Sequence, residues 1–324
     1  MHVLITGAAG FVGRALAARL QRDAGLGGRD ITRLSLLDLG FGEIAPVDGF
    51  VHRHAGDLAD VQWLDAAFAG FPVDAVFHLA SIPGGTAEAN YALARRVNLD
   101  ATLGLLERGK AQVESGGAAP RFVFASSIAV FGEMPDRVTD DTPPRPRLTY
   151  GAHKLVGEVL VEDFSRRGWV DGRSLRLPGV LARPPARTGQ LSAFMSDIIR
   201  ELSAGRPFVC PTSPGATTWA SSLPNVIENL LHAGTLDALT AERRTFTLPT
   251  THFSMEQLVE AIARVRQVDA ARLVQFKPDK NIEALFGRFP ALDAAAAQRV
   301  GFRSDESLAK LVMQSLDAST GNRP

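Results

Sequence analysis

Cysteine is nearly missing from this chain. Cys210 is the single one among 324 residues, which excludes an intrachain disulfide framework and any cysteine-built zinc site. A lone cysteine can still act as a nucleophile, but no histidine-rich stretch accompanies it, so buried filler is the reading its surroundings favour. Net charge is missing too. Lys and Arg total 35, Asp and Glu total 35, and the pI is near 7.1. No global field therefore draws in nucleic acid or an anionic membrane, and an anionic ligand has to be held by a local set of donors. Long apolar runs are absent as well: no window approaches the roughly 18 uninterrupted apolar residues that a spanning helix needs. The opening residues, Met1-His2-Val3-Leu4-Ile5-Thr6, run into a glycine turn with no charged leader. The expectation is a soluble, cytoplasmic protein with no metal site, no nucleic-acid partner and no membrane partner.

What is present suffices for a large core, with 45% hydrophobic and 22% charged residues. Short β-rich runs alternate with helical patterns through the first half, the mark of a parallel sheet with crossover helices. The runs are Val3–Thr6, Arg33–Asp38, Phe50–Ala55, Ala75–Leu79, Arg121–Ser126 and Ser174–Leu177. The helical patterns are Val12–Arg22, Val61–Ala69, Glu88–Lys110 and Tyr150–Arg167. Near-continuous apolar runs such as Ala75-Val76-Phe77 suit strands buried on both faces. Right-handed crossovers then predict an α/β, doubly wound parallel sheet of the Rossmann kind, with its ligand beyond the carboxyl ends of the strands. After Pro178 the rhythm changes to short strands and helices separated by Pro/Gly loops. We expect residues 1–178 to form the nucleotide-binding domain and 179–324 a smaller, mixed α/β substrate lobe, parts of which return to the sheet.

Gly7-Ala8-Ala9-Gly10-Phe11-Val12-Gly13 lies between the first strand and the first helix. Glycines there permit a tight turn, close approach of backbone to a pyrophosphate and close helix–strand packing, and the helix N-terminus offers N–H groups to the negative charge. Asp38 ends the second strand, where a carboxylate accepts from the hydroxyls of an adenosine ribose and repels a 2′-phosphate, which favours NAD over NADP. A capping aspartate is the plainer alternative, and Arg14 beside the last glycine is a counter-signal. Asp57-Leu58 follow the third strand, placed for the adenine amino group and ring. Leu79, Ala80 and Ser81 follow the fourth, where small residues let a cofactor pass. His78 reads as a structural histidine, not a base.

The fifth strand ends in Ser126-Ser127, and Tyr150-Gly151-Ala152-His153-Lys154 opens a helix further on. Tyrosine and lysine at i and i+4 share a helical face. An ammonium there stabilises a phenolate and makes the tyrosine a general base or acid, while a serine hydroxyl orients the substrate oxygen. Tyr-x-x-x-Lys alone is common on surface helices; its place after a Ser-Ser strand end and a glycine turn is what gives it meaning.

Together these residues resemble the extended short-chain dehydrogenases, the NAD-dependent epimerase/dehydratase family. The match rests on Gly7/Gly10/Gly13, Asp38, Asp57-Leu58, His78-Leu79-Ala80, Val97-Asn98, Ser126-Ser127, Tyr150/Lys154 and Arg176-Leu177-Pro178-Gly179. The resemblance implies Ser127, Tyr150 and Lys154 as the catalytic set, with Lys154 also bonding the nicotinamide ribose. It places Pro178 and Val180 beside the nicotinamide and Asn98 near the cofactor, a structural role for Asn98 staying open. It suggests a homodimer paired through the helices of Glu88–Lys110 and Tyr150–Arg167.

Several stretches, among them Asp140-Asp141-Thr142-Pro143 and Val209-Cys210-Pro211, are similar to family members that oxidise the 2-hydroxyl of a four-carbon sugar acid to the 2-keto acid with NAD. Residues 179–185 and 219–224 depart from that pattern. Such a substrate needs donors for its carboxylate, and Arg183 and Thr188 are the candidates, Arg183 being equally readable as a surface residue. A sugar-nucleotide epimerase or dehydratase is the first rival. A dehydratase wants an Asp-Glu pair after the catalytic hydroxyl, where this chain has Ile128-Ala129, and no set of basic and aromatic residues for a nucleotide diphosphate stands out between Leu191 and Pro224. A non-catalytic NAD(P)-binding sensor is the second rival. Such proteins can lose the Tyr and Lys that this chain keeps.

Overall fold

Strand β1 (His2–Thr6) is buried at every position, as a parallel strand covered on both faces must be. The computed structural model describes residues 1–42, 49–68, 70–183, 192–237 and 243–320. After β1 come β2 (Arg33–Asp38), β3 (Val51–Ala55), β4 (Ala75–His78), β5 (Arg121–Ser127), β6 (Asp171–Leu177), β7 (Gly179–Leu181), β8 (Thr217–Ser222), β9 (Thr245–Thr247) and β10 (Thr251–Ser254). The helices used below are α1 (Phe11–Asp23), α2 (Val61–Phe68), α3 (Gly84–Ala89), α4 (Tyr91–Arg95), α5 (Ala101–Glu114), α6 (Thr149–Arg166), α7 (Phe194–Ser203), α8 (Leu223–Thr235), α9 (Met255–Arg266) and α10 (Leu308–Thr320).

Seven strands form the main sheet in the order β9-β6-β5-β4-β1-β2-β3. The pairings β2–β1, β1–β4, β4–β5 and β2–β3 are all parallel. This is the expected doubly wound sheet, and the order reverses between β1 and β4. The seventh strand, β9, is one the sequence did not announce: it is three residues long and edges the sheet far from β6 in sequence, held there by the Arg244 carbonyl accepting from the Ser174 amide at 2.8 Å.

The backbone divides into two compact units. The first holds Met1–Gly132, Pro144–Arg176 and Asn229–Phe246; the second holds Glu133–Pro143, Leu177–Glu228 and Thr247–Pro324. Within the first unit, Leu4, Val76, Leu105, Phe122, Phe124, Val161 and Phe164 form a continuous apolar core between sheet and helices, which at about 25 cal/mol per Å² is the main force holding α5 and α6 to the strands. The second unit has its own sheet, β7-β8-β10, and its own core, with Ile198 and Leu202 of α7, Leu258 and Ile262 of α9, and Leu311 of α10 packed on Ala220 and Phe253. Helix α9 begins with a capping box between Ser254 and Gln257.

The pattern expected to be one helix over Glu88–Lys110 is broken. Asn90 leaves the helical region (φ −140, ψ 80) and its side chain caps α4 by accepting from the Leu93 amide. Residues Arg96–Asp100 then form a π turn before α5. Such turns mark functional sites more often than plain helix does, and this one carries Asn98.

Candidate active site

At the sheet's reversal point, Gly7 turns the chain with φ +68, and a Cβ there would lie 2.7 Å from the Ala80 nitrogen. At Gly13 a Cβ would lie 2.0 Å from the Gly7 carbonyl oxygen. The Gly10 amide donates to that same carbonyl at 3.0 Å. Gly10 is also the N-cap of α1 and brings no side chain to it. The N–H groups of the first turn, at Phe11, Val12 and Gly13, are thus of the kind a pyrophosphate takes up. Asp38 braces the turn: its carboxylate accepts from the Ala9 amide at 2.9 Å and the Leu39 amide at 2.8 Å. A cradle that any Cβ would fill, with a carboxylate at the end of β2, fits a dinucleotide.

Past β3, Asp57 accepts from the Ala59 amide and pairs with Arg96 at 2.6 Å, so the π turn reaches the segment expected to meet the adenine. Leu58 is buried in the core of the first unit. Past β4, the Leu79 amide donates to the Thr6 carbonyl, and Ala80 and Ser81 are partly buried. Asn98 spends its amide on a backbone clamp: Oδ1 accepts from the Ile82 amide at 2.7 Å and Nδ2 donates to the Ile82 carbonyl at 3.1 Å. It fixes the loop that follows Ser81.

His78 is structural, as its sequence position suggested. The Ala80 amide donates to Thr6 Oγ1, which bonds His78 Nδ1 at 2.7 Å; His78 Nε2 bonds Thr102 Oγ1 at 2.8 Å, and that hydroxyl donates to the Asn98 carbonyl. Because Thr102 spends its proton on Asn98, it must accept from Nε2–H, and Nδ1 is then the acceptor for Thr6. The ring is neutral. Full burial, helped by the charge of Lys154, pushes its pKa down to about 3.

The chemical end stands on β5 and α6. Ser127 Oγ caps a short turn by accepting from the Ala129 amide at 3.1 Å. Tyr150 is the second residue of α6, whose first amide, that of Thr149, is held by Glu88 at 2.5 Å. A Cβ on Gly151 would meet the Ala129 carbonyl at 2.2 Å and one on Gly157 would meet Phe124 at 2.5 Å. These two glycines let α6 lie directly on the strand end that carries Ser127. Lys154 is 3% exposed, with its Nζ 4.8 Å from the Phe124 ring centroid and 5.6 Å from that of Tyr150. Burial lowers its pKa to about 7, against the pull of Glu158.

Glu158 itself was not singled out from the sequence, although Tyr150, Lys154 and Glu158 follow one another at i, i+4 and i+8. Its carboxylate is 4% exposed and accepts from both arms of Arg176 and from Ser126 Oγ.

Of the other expected site residues, Pro178, Val180 and Arg183 belong to the second unit. Val180 is buried, and the Arg183 amide donates to Ser196 Oγ at 3.0 Å. Thr188 lies outside the described residues. Cys210 is buried, and burial raises its thiol pKa, which suits filler and not a nucleophile. A cavity of about 390 Å³ opens at the amino ends of the strands, lined among others by Pro72, Gln112 and Arg121. Its charges pair among themselves, Arg29 with Asp74 and Arg121 with Asp171, and it lies at the end of the sheet away from the glycine turn.

A glycine cradle for a dinucleotide and a Ser/Tyr/Lys set on adjoining elements define an oxidoreductase that acts on a CH–OH group with NAD. The chain belongs to the NAD dependent epimerase/dehydratase family, whose model matches residues 3–217. It is 38% identical to D-erythronate dehydrogenase of Cupriavidus necator, over 96% of this chain and 97% of that one. It is 32% identical to D-erythronate dehydrogenase of Haemophilus influenzae, over 98% and 99%. Among solved structures, a nucleoside-diphosphate-sugar epimerase from Agrobacterium tumefaciens superposes with a TM-score of 0.90 at 33% identity, over 100% of this chain and 95% of that one. Among the described residues no helix is long and apolar enough to cross a membrane.

Proposed function

We propose that this chain is an NAD-dependent dehydrogenase that oxidises the 2-hydroxyl of a four-carbon sugar acid, D-erythronate or a close relative, to the 2-keto acid. The observation that carries the reading is the combination of Ser127, Tyr150 and Lys154 on β5 and α6 with nearly full-length similarity to two relatives bearing that name. Ser127 Oγ and the Tyr150 hydroxyl grip the reacting hydroxyl, and Tyr150 takes its proton as general base. Lys154, as an ammonium, favours the phenolate and bonds the nicotinamide ribose. Bound NAD supplies the hydride acceptor. The glycine turn holds its pyrophosphate, Asp38 its adenosine ribose, and Asp57, Leu58 and Leu79–Ser81 border its adenine half. Pro178 and Val180 border the nicotinamide, and Arg183 with Thr188 are the donors we assign to the substrate carboxylate.

One observation favours a second reading. The structure with a TM-score of 0.90 bears an epimerase's name, and an epimerase regenerates its NAD without net NADH. The deciding experiment follows NADH formation across sugar acids, L-threonine and UDP-sugars, with NAD and NADP in parallel. Net NADH with D-erythronate or a close four-carbon acid supports the dehydrogenase. Interconversion of a UDP-sugar with no net NADH replaces it by the epimerase.

The exposed apolar residues Leu103 on α5 and Val156 and Val159 on α6 support the further proposal of a homodimer through these helices. Sedimentation equilibrium tests it, and a monomer at micromolar concentration overturns it.

A further inference from the structure

Three groups from three elements meet behind the Tyr150/Lys154 face of α6. Arg176 of β6 grips Glu158 with two bonds, Nε to Oε1 at 2.9 Å and Nη2 to Oε2 at 2.8 Å. Ser126 of β5 adds a third, Oγ to Oε1 at 2.5 Å. Both charged side chains are buried, with Glu158 4% and Arg176 9% exposed, and the Arg176 guanidinium lies 5.1 Å from the Phe131 ring centroid. A buried ion pair of this kind is a costly way to gain stability, since desolvation consumes much of the Coulomb attraction. Its placement gives it another use. Ser126 is the chain neighbour of Ser127, and Glu158 is one helical turn beyond Lys154.

Resting on the reading of Ser127, Tyr150 and Lys154 given above, we propose that the Glu158–Arg176 pair is a positioning device: it keeps Lys154 charged inside the protein and ties the strand end carrying Ser127 to the helix carrying Tyr150. The geometry explains why a carboxylate one turn away does not simply quench the lysine. Arg176 and Ser126 take up the Glu158 oxygens, and among the described contacts Glu158 forms its ion pair with Arg176 and not with Lys154. Its field reaches Lys154, yet the ammonium keeps its N–H groups for a phenolate and a ribose.

The other groups around Lys154 offer no substitute. On its own helix stands Tyr150. From β4 comes His78, which is neutral. From β5 come the Phe124 ring and the uncharged Ser126 and Ser127. From β6 comes Arg176, already paired. On α3, Glu88 acts on His153, and Arg95, Arg96 and Asp100 of α4 and the π turn are paired and exposed, with one another or with Asp57. Charged side chains of α5 pair at its surface, as Arg108 does with Asp65 and Lys110 with Glu107.

The test compares the whole protein with Glu158→Gln, measuring NADH binding by fluorescence and kcat/KM for the sugar acid from pH 5 to pH 10. With Glu158 neutral, burial acts on Lys154 unopposed, so the ammonium is lost at lower pH. The expected result is that the alkaline loss of both NADH binding and turnover moves down by about one pH unit, a roughly tenfold deficit near neutrality that lowering the pH recovers. If Glu158→Gln does not fold because Arg176 is left unpaired, the double variant Glu158→Gln/Arg176→Met removes both charges and is expected to shift the profiles in the same direction by a smaller amount, because the Arg176 cation that opposes Glu158 at Lys154 is removed with it. A folded variant of either kind whose pH profiles superimpose on wild type, whatever its overall rate, overturns the proposal. NADH binding needs no substrate. Silence of the wild type on every sugar acid therefore counts against the dehydrogenase reading, while the binding profile still judges Glu158.

Discussion

The α-carbon of Gly151 sits so close to Ala129 that a methyl group on it would lie 2.2 Å from the Ala129 carbonyl oxygen. That carbonyl belongs to the short turn capped by Ser127, and Gly151 follows Tyr150, so one close contact sets the spacing between Ser127 and Tyr150. Gly151→Ala has to push α6 off the turn. We expect overpacking to cost about 1–3 kcal/mol of stability, and a displacement near 1 Å at Tyr150 to cost about a hundredfold in kcat/KM. Thermal unfolding and steady-state kinetics check this. A stable variant with wild-type turnover would show that the helix can shift without disturbing the site.

Tyr150→Phe removes one oxygen and leaves the helix, the Lys154 environment and the glycine cradle in place. If the hydroxyl is the general base, kcat should fall by about 10²–10⁴ or more while NADH affinity stays within a few-fold of wild type. Parallel loss of NADH binding would assign Tyr150 to holding the site together.

Much of this was legible in advance, and for a physical reason. Strands buried on both faces leave apolar runs, so β1, β2, β4 and β5 stood out, as did the glycine turn, whose backbone geometry few other residues permit. The strand Thr245–Thr247 did not, because three residues carry no periodicity and its pairing depends on β6, far away in sequence. The break at Asn90 and the π turn at Arg96–Asp100 were hidden because helical apolar spacing runs on through both. Glu158 carries no mark of its own in the sequence. Its burial is decided by Arg176 on another strand, and sequence spacing does not show tertiary pairing.

Asp38 has two tasks that a substitution can separate. Its carboxylate braces the Ala9 and Leu39 amides, and in the proposed function it also accepts from the adenosine ribose. Asp38→Asn keeps one acceptor oxygen for the brace but removes the charge that repels a 2′-phosphate. We expect NAD affinity to fall by about tenfold, or ~1.4 kcal/mol, and the preference for NAD over NADP to narrow. Isothermal titration with both dinucleotides is the measurement. Equal losses for the two would assign Asp38 to the turn alone.

His78 makes the acid side of the stability curve predictable. Its pKa is near 3 in the folded protein, against 6.5 for an exposed histidine, so between those values the unfolded chain binds a proton that the native ring refuses. Stability from this group is complete above pH 6.5 and drains away as the pH falls towards 3, at about 1.4 kcal/mol per pH unit. His2, His52, His54 and His153 are depressed in the same direction and add to the slope, so wild type alone cannot isolate the contribution of His78. His78→Gln can, because glutamine keeps one acceptor and one donor for Thr6 and Thr102 but does not titrate. Urea unfolding at intervals between pH 4 and pH 7 should give a shallower loss for the variant, the two curves converging as the pH falls. Parallel curves across that range would mean that the native ring accepts a proton readily, and that the direction of the bonds from Ala80 through to Asn98 is not fixed as the geometry requires.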